Sequence, residues 1–129
     1  MAENVIITKT ARAKLVQARA GAITLPTIVG MAFGNGGVDS SGDVISPTDD
    51  QTELTSELLR KEIDSYTVLT SEDATVRYMC TLGTSDLEGE SISEIGLYDT
   101  DGDIVCIKTF TAKGKDSDIE MTFTLDDVF

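Results

Sequence analysis

Ile95-Gly-Leu-Tyr-Asp99 and Asp103-Ile-Val-Cys-Ile107 stand on either side of Thr100-Asp101-Gly102. Two apolar runs joined by residues that tolerate positive φ are the pattern of an antiparallel hairpin. Working outward, the same period of two recurs. Val76, Tyr78, Cys80 and Leu82 alternate with Arg77, Met79 and Thr81, and Tyr66 and Val68 with polar neighbours. Ile119, Met121, Phe123 and Leu125 alternate with Asp118, Glu120, Thr122 and Thr124. Thr27-Ile-Val-Gly-Met-Ala-Phe33, opened by Pro26, is instead a continuous apolar run, which suits a strand covered on both faces. Two helices are expected ahead of most of these strands. Thr10 reads as the cap of a first, running to about Ala20 with Gly21 as its stop and Ala11, Leu15 and Ala18 as a narrow apolar stripe. Asp50-x-x-Glu53, followed by Leu54, Leu58 and Leu59, predicts a second that ends near Arg60 or Ile63. The expected fold class is α+β: two short helices packed on a mostly antiparallel sheet of five to six strands, in a single domain over residues 1–129.

Composition removes many functions. The chain has 129 residues, 40% of them apolar, enough for a substantial core. It has no His, so the nucleophiles, proton shuttles and zinc sites that need imidazole are excluded. With 23 acidic against 10 basic residues the formal charge is −13, which argues against nucleic acid or a membrane surface as partner. No apolar run approaches the roughly 20 residues of a membrane span. The start, MAENVIITKT, lacks the basic and apolar regions of a signal peptide. Cys80 and Cys106 make no disulfide framework, consistent with synthesis in a reducing cytosol. The charge is uneven. Lys9, Arg12, Lys14 and Arg19 against Glu3 give residues 1–19 a charge of +3, leaving −16 for the remainder. Either a basic helix lies on its own acidic domain or it docks on a partner, with Leu15 supplying apolar contact.

Candidate sites are weighed against plainer roles. Gly34-Asn-Gly-Gly37 opens a long loop to Asp50, but no helix follows it directly and Asp39, Asp43 and Asp49 intervene, which disfavours phosphate. Asp99, Asp101 and Asp103 invite a calcium reading, yet the flanks are strands and no closing Glu follows; turn chemistry accounts for Asp and Gly here. A metal- or ligand-binding module on Asp99–Asp103 remains the alternative reading. Glu94 sits in a strand, and burial would demand a partner such as Arg60 or Arg77; a structural ion pair is preferred to catalysis. The cysteines have no activating neighbour and read as small apolar residues. No catalytic residue, cofactor or metal is assigned.

Four blocks carry a family resemblance: Thr8-Lys-Thr-Ala-Arg-Ala-Lys14, Met31-Ala-Phe-Gly-Asn-Gly36, Gln51-Thr-Glu-Leu-Thr-Ser-Glu57 running on to Ile63, and Glu94-Ile-Gly-Leu-Tyr-Asp-Thr-Asp-Gly-Asp103. In this order they resemble the N-terminal domain of phage tail-collar fibre proteins. The last block is the most specific, with Glu94, Gly96, Tyr98, Asp99, Asp101 and Gly102 as its hairpin residues. The resemblance implies a non-enzymatic virion protein of a contractile tail or tailocin, made in the bacterial host cytoplasm and attaching a fibre to the baseplate. The implied partners are baseplate proteins and tail-fibre subunits, with trimerisation in the assembled particle. Docking is expected through Lys9, Arg12, Lys14, Leu15 and Arg19, with loop 34–50 beside them. The family's fibres usually continue into a shaft and tip, so this sequence reads as either a stand-alone adaptor or the first part of a fibre.

Overall fold

The computed structural model describes residues 4–70 and 74–128, with the backbone alone described at Thr70. It is mostly β, with one short helix and two antiparallel sheets among the described residues. In chain order the elements are β1 (Val5–Ile7), α1 (Lys9–Arg19), β2 (Ile28–Gly34), β3 (Glu57–Glu62), β4 (Ser65–Thr70), β5 (Thr75–Leu82), β6 (Ser91–Asp99), β7 (Ile104–Gly114) and β8 (Met121–Val128). The larger sheet has the order β1-β7-β6-β2-β3 and the smaller β4-β5-β8.

The hairpin forms as expected. Strands β6 and β7 pair antiparallel with Leu97 opposite Cys106 and Tyr98 opposite Ile104. Gly102 takes φ +84° at the turn, and the Asp99 carboxylate accepts from the backbone N–H groups of Asp101 (3.0 Å) and Asp103 (3.1 Å). Strand β2 lies beside β6, and Gly30 through Gly34 are all buried. Both its faces are covered. Met31 and Phe33 point at the smaller sheet, where they meet Cys80, Leu82, Phe123 and Leu125, while Ala32 joins Leu54, Ile104 and Ile107 on the outer face. A strand covered on two faces gains from apolar residues at every position, which is why its sequence runs without alternation.

Four expectations change. The strands number eight among the described residues and divide between a five-stranded and a three-stranded sheet, where the sequence predicts one sheet of five to six strands. The second helix does not form. Residues 51–56 are irregular, Leu54 plugs the outer face of the larger sheet, and Glu57–Glu62 is an edge strand antiparallel to β2. Its Glu, Leu, Arg and Lys favour a helix only weakly, by tenths of a kcal/mol per residue, and pairing with β2 outweighs that. The charged residues instead protect the sheet's edge. Helix α1 starts two residues early, because Thr8 rather than Thr10 is the cap. The Thr8 hydroxyl accepts from Ala11 N–H (3.2 Å) and donates to the Ile104 carbonyl (2.8 Å), a long-range bond that Thr10 cannot make. Its end is as expected, with Gly21 at φ +80° and Ala22 N–H reaching the Gln17 carbonyl. Finally, Ile119 lies outside β8 and is exposed, and Tyr66 and Val68 occupy β4 but face solvent beyond the core.

Phe33 meets Phe123 edge-to-face with ring centroids 5.2 Å apart, and Phe110 stacks on Phe123 at 6.0 Å. Replacing Phe33 by Ala should therefore cost about 3–5 kcal/mol. Urea denaturation of the purified domain measures this, and a loss below about 1 kcal/mol would show that the sheets do not close over this ring.

Candidate attachment site

On β6, Glu94, Gly96 and Tyr98 share the outer face of the larger sheet, opposite in parity to Ile95 and Leu97 in the core. Glu94 is fully buried. Its Oε1 accepts from Thr55 N–H, and its Oε2 accepts from the N–H groups of Gly36 and Ser56, each at 2.8 Å. Beside it the Ser93 hydroxyl accepts from Gly37 N–H at 2.9 Å. One carboxylate thus joins the hairpin to the glycine loop and to the turn before β3. The expected ion pair is not what balances this charge. Arg60 pairs with Glu57 (2.8 Å) and lies over the Tyr98 ring, and Arg77 pairs with Asp126 (2.8 Å). Three backbone N–H dipoles stabilise the carboxylate without burying a cation beside it. Glycine is required at position 36 for this approach, since a Cβ there would stand 2.6 Å from Thr55 Cβ and 2.8 Å from the Glu94 carboxylate. On the same face a Cβ on Gly96 would crowd the Cys106 carbonyl and Leu54.

Asp99, at the end of β6, turns its other oxygen to the helix. Lys14 Nζ sits among three carboxylates, 2.7 Å from Asp99, 2.8 Å from Asp103 and 3.0 Å from Asp101. Burial works against the ammonium's charge, but hydrogen bonds to Asp103, Asp99 and Asp101 outweigh it and raise the Lys14 pKa well above the ordinary lysine value. The three carboxylates lie within 4.8 Å of one another, the spacing of a cation site, and the lysine ammonium occupies its focus. Lys14 is therefore engaged within the chain and fastens α1 to the hairpin. The basic helix lies partly on its own acidic domain.

The rest of the helix looks outward. Lys9, Arg12 and Arg19 are exposed, Leu15 is half-buried, and α1 has no fully buried residue. Arg12 reaches the Asp49 carbonyl at 3.4 Å, at the far end of the 34–50 loop. Between α1 and β1 runs a largely apolar groove of about 540 Å³, lined by Val5, Ile6, Leu15 and Val16 with Arg12, Arg19 and Asp49 as its charged residues. Neither β1 nor Val16 was among the expected docking residues, and Val16, 67% exposed, lies off the stripe of Ala11, Leu15 and Ala18. The signal for β1 is the short apolar run Val5-Ile6-Ile7. On the inner side of α1, Asp127 of β8 lines a small cavity with Ile7, Leu15 and Val105. Desolvation there pushes its carboxyl pKa up from 3.8 to about 6. The cysteines are free and buried, and burial pushes Cys80 up to about 11 and Cys106 up to about 12, so both are thiols at neutral pH.

The family model for the phage tail-collar fibre protein, N-terminal, matches residues 1–124. The chain belongs to this family. Membership makes it a structural component of a phage tail, which interacts with other tail proteins. No curated protein and no solved structure matches it. The four sequence blocks of the tail-collar resemblance meet at the two carboxylates just described. Gly36 and the Thr55-Ser56 pair converge on Glu94, and Lys14 of the helical block converges on Asp99.

Replacing Glu94 by Gln sets an amide NH₂ against one or more backbone N–H donors. The domain should lose about 2–4 kcal/mol by urea denaturation, because hydrogen bonds to a charged group are worth ~1.5–3 kcal/mol each. An unchanged midpoint would mean the carboxylate does not hold the loops. At Asp127 the folded pKa is raised, so its contribution favours folding below pH 3.8 and is lost as the pH rises to about 6. Asp127→Asn should accordingly raise the melting temperature at pH 8 and leave it nearly unchanged at pH 3.5; a lower value at pH 8 would show that the ionised form is stabilising.

Proposed function

We propose that this tail-collar domain, spanning residues 1–129, attaches a tail fibre to the baseplate of a contractile phage tail or tailocin, as an adaptor or as the first domain of a fibre, and catalyses no reaction. The observation that carries this reading is the split in the roles of the basic helix. Lys14 is spent on the acidic hairpin, while Lys9, Arg12 and Arg19 stay exposed on a chain of net charge −13. A rigid two-sheet platform then presents one basic face, with Leu15 and Val16 supplying apolar contact beside it. Opposed charge sets orientation and the apolar residues supply desolvated contact. Loop 34–50, tied to the platform through Glu94 at its start and touching Arg12 at its end, borders the same face. Trimerisation belongs to the assembled particle, because isolated chains of this charge repel one another.

Reversing Arg12 and Arg19 to Glu should weaken incorporation into tails, scored by immunoblot of purified particles. Thermal unfolding of the isolated domain should change little, since exposed charges of this kind contribute roughly 0–1 kcal/mol. Normal incorporation of the double variant would place the docking surface elsewhere, and unfolding of the domain would make the basic face an internal strap.

A further inference from the structure

Among the described residues β1 and β8 are each paired on one side only, and residues of both line one cavity. Between them lies a cleft of about 300 Å³ lined by Val5, Ile7, Lys108, Thr124, Asp126 and Val128. It shares Val5, Ile6, Ile7 and Val128 with the groove under α1, whose rim carries Arg12 and Arg19. The backbone of β1 is arranged to use this space. Thr109 N–H donates to the Asn4 carbonyl and Thr8 N–H to the Val105 carbonyl, both at 3.0 Å. Asn4 and Thr8 therefore turn their backbone toward β7. By antiparallel alternation Val5 and Ile7 turn their N–H and C=O groups away from β7, into the cleft. The opposite edge of the same sheet is treated differently. Strand β3 carries Glu57, Arg60, Lys61 and Glu62, the charges by which sheets discourage pairing, whereas β1 is Val-Ile-Ile.

We propose that the cleft accepts an extended segment of another tail protein as an added strand on β1, and that this segment alternates apolar and acidic residues. The apolar side chains enter the lining of Val5, Ile7, Leu15 and Val16. The carboxylates on the other parity meet the guanidinium groups of Arg12 and Arg19, two cations against the single Asp49 in the groove's lining. Main-chain hydrogen bonds to Val5 and Ile7 supply register and the side-chain pattern supplies choice of partner. The proposal rests on reading the α1 face as the attachment surface and adds the partner's conformation and chemistry.

The test uses a fluorescein-labelled octapeptide of alternating Val and Glu, its Val/Lys counterpart, and a Val/Glu version N-methylated at every second residue. Binding is followed by fluorescence anisotropy and by amide exchange of the intact protein. The Val/Glu peptide should bind saturably and slow exchange at Val5 and Ile7. N-methylation, and the Arg12→Ala/Arg19→Ala variant, should each weaken binding by about tenfold or more. Tighter binding of the Val/Lys peptide would mean that bulk charge governs the surface, and undiminished binding after N-methylation would mean that no strand is added; either overturns the proposal. Protection of Val5 and Ile7 by raising the protein concentration alone would make the occupant a second copy and overturns it too. The two readings separate cleanly. Failure of peptide binding with loss of incorporation by Arg12→Glu/Arg19→Glu removes strand addition and keeps attachment, whereas peptide binding with normal incorporation keeps strand addition and removes attachment.

Discussion

A single buried carboxylate ties two distant pieces of this chain to the 95–107 hairpin. Among the described residues no cation pairs with Glu94, and its carboxylate is held by N–H groups from Gly36, Thr55 and Ser56, which lie 58, 39 and 38 residues away along the chain. An ionised group out of water is costly unless its lone pairs are filled, so the glycine loop and the turn before β3 are constrained to close on it. In the same arrangement Leu54 lies on the outer face of the sheet and β3 is paired with β2. The outer layer of the larger sheet thus combines the Glu94 hydrogen bonds with the apolar cluster of Ala32, Leu54, Ile104 and Ile107, whereas its inner layer rests on burial of Phe33, Leu97, Phe123 and their neighbours.

The second constraint acts at the other end of β6. Helix α1 is too short and too sparsely apolar to persist by itself in water. It is held at its start by the Thr8 hydroxyl on the Ile104 carbonyl and in its middle by Lys14 on the acidic hairpin. These two anchors fix the helix's rotation. With Lys14 turned inward, Lys9, Arg12 and Arg19 lie on exposed positions, and which side of the helix stays open follows from where the hairpin put its aspartates.

Much of the β architecture is legible in the sequence because alternation and turn chemistry are local. The 95–107 hairpin, the buried run 27–33 and the alternating β5 and β8 are all visible as patterns of neighbouring residues. What escapes is set by long-range partners. Leu58, Leu59, Arg60 and Lys61 have helical preferences that pairing with β2 overrides, and no local pattern shows that Glu94 meets backbone amides rather than Arg60 or Arg77. Thr8 outcompetes Thr10 as cap through a carbonyl 96 residues on. Of the candidate attachment face, the basic residues and Leu15 are legible from charge and spacing. The groove is not, because it depends on β1, whose three residues are too few to display a period, and on the placement of β8 across from it.

Charge at two ranges then shapes how such a face can be approached. At physiological salt fields decay over about 8 Å, so an acidic partner meets the repulsion of the whole −13 chain wherever it comes close. The one ammonium of Lys14 leaves two of the three hairpin carboxylate charges unbalanced, so attraction for an acidic group near the helix has to come from Arg12 and Arg19, which share the groove with Asp49. Repulsion over most of the surface disfavours wrong encounters, and attraction at one face rewards the right one. Salt acts on the two in opposite senses, easing approach by screening the overall repulsion while loosening the contacts made on arrival. On the proposed reading, a domain of this composition would gain orientation from its excess acid, and its hold on a partner would come from the apolar groove beside Arg12 and Arg19.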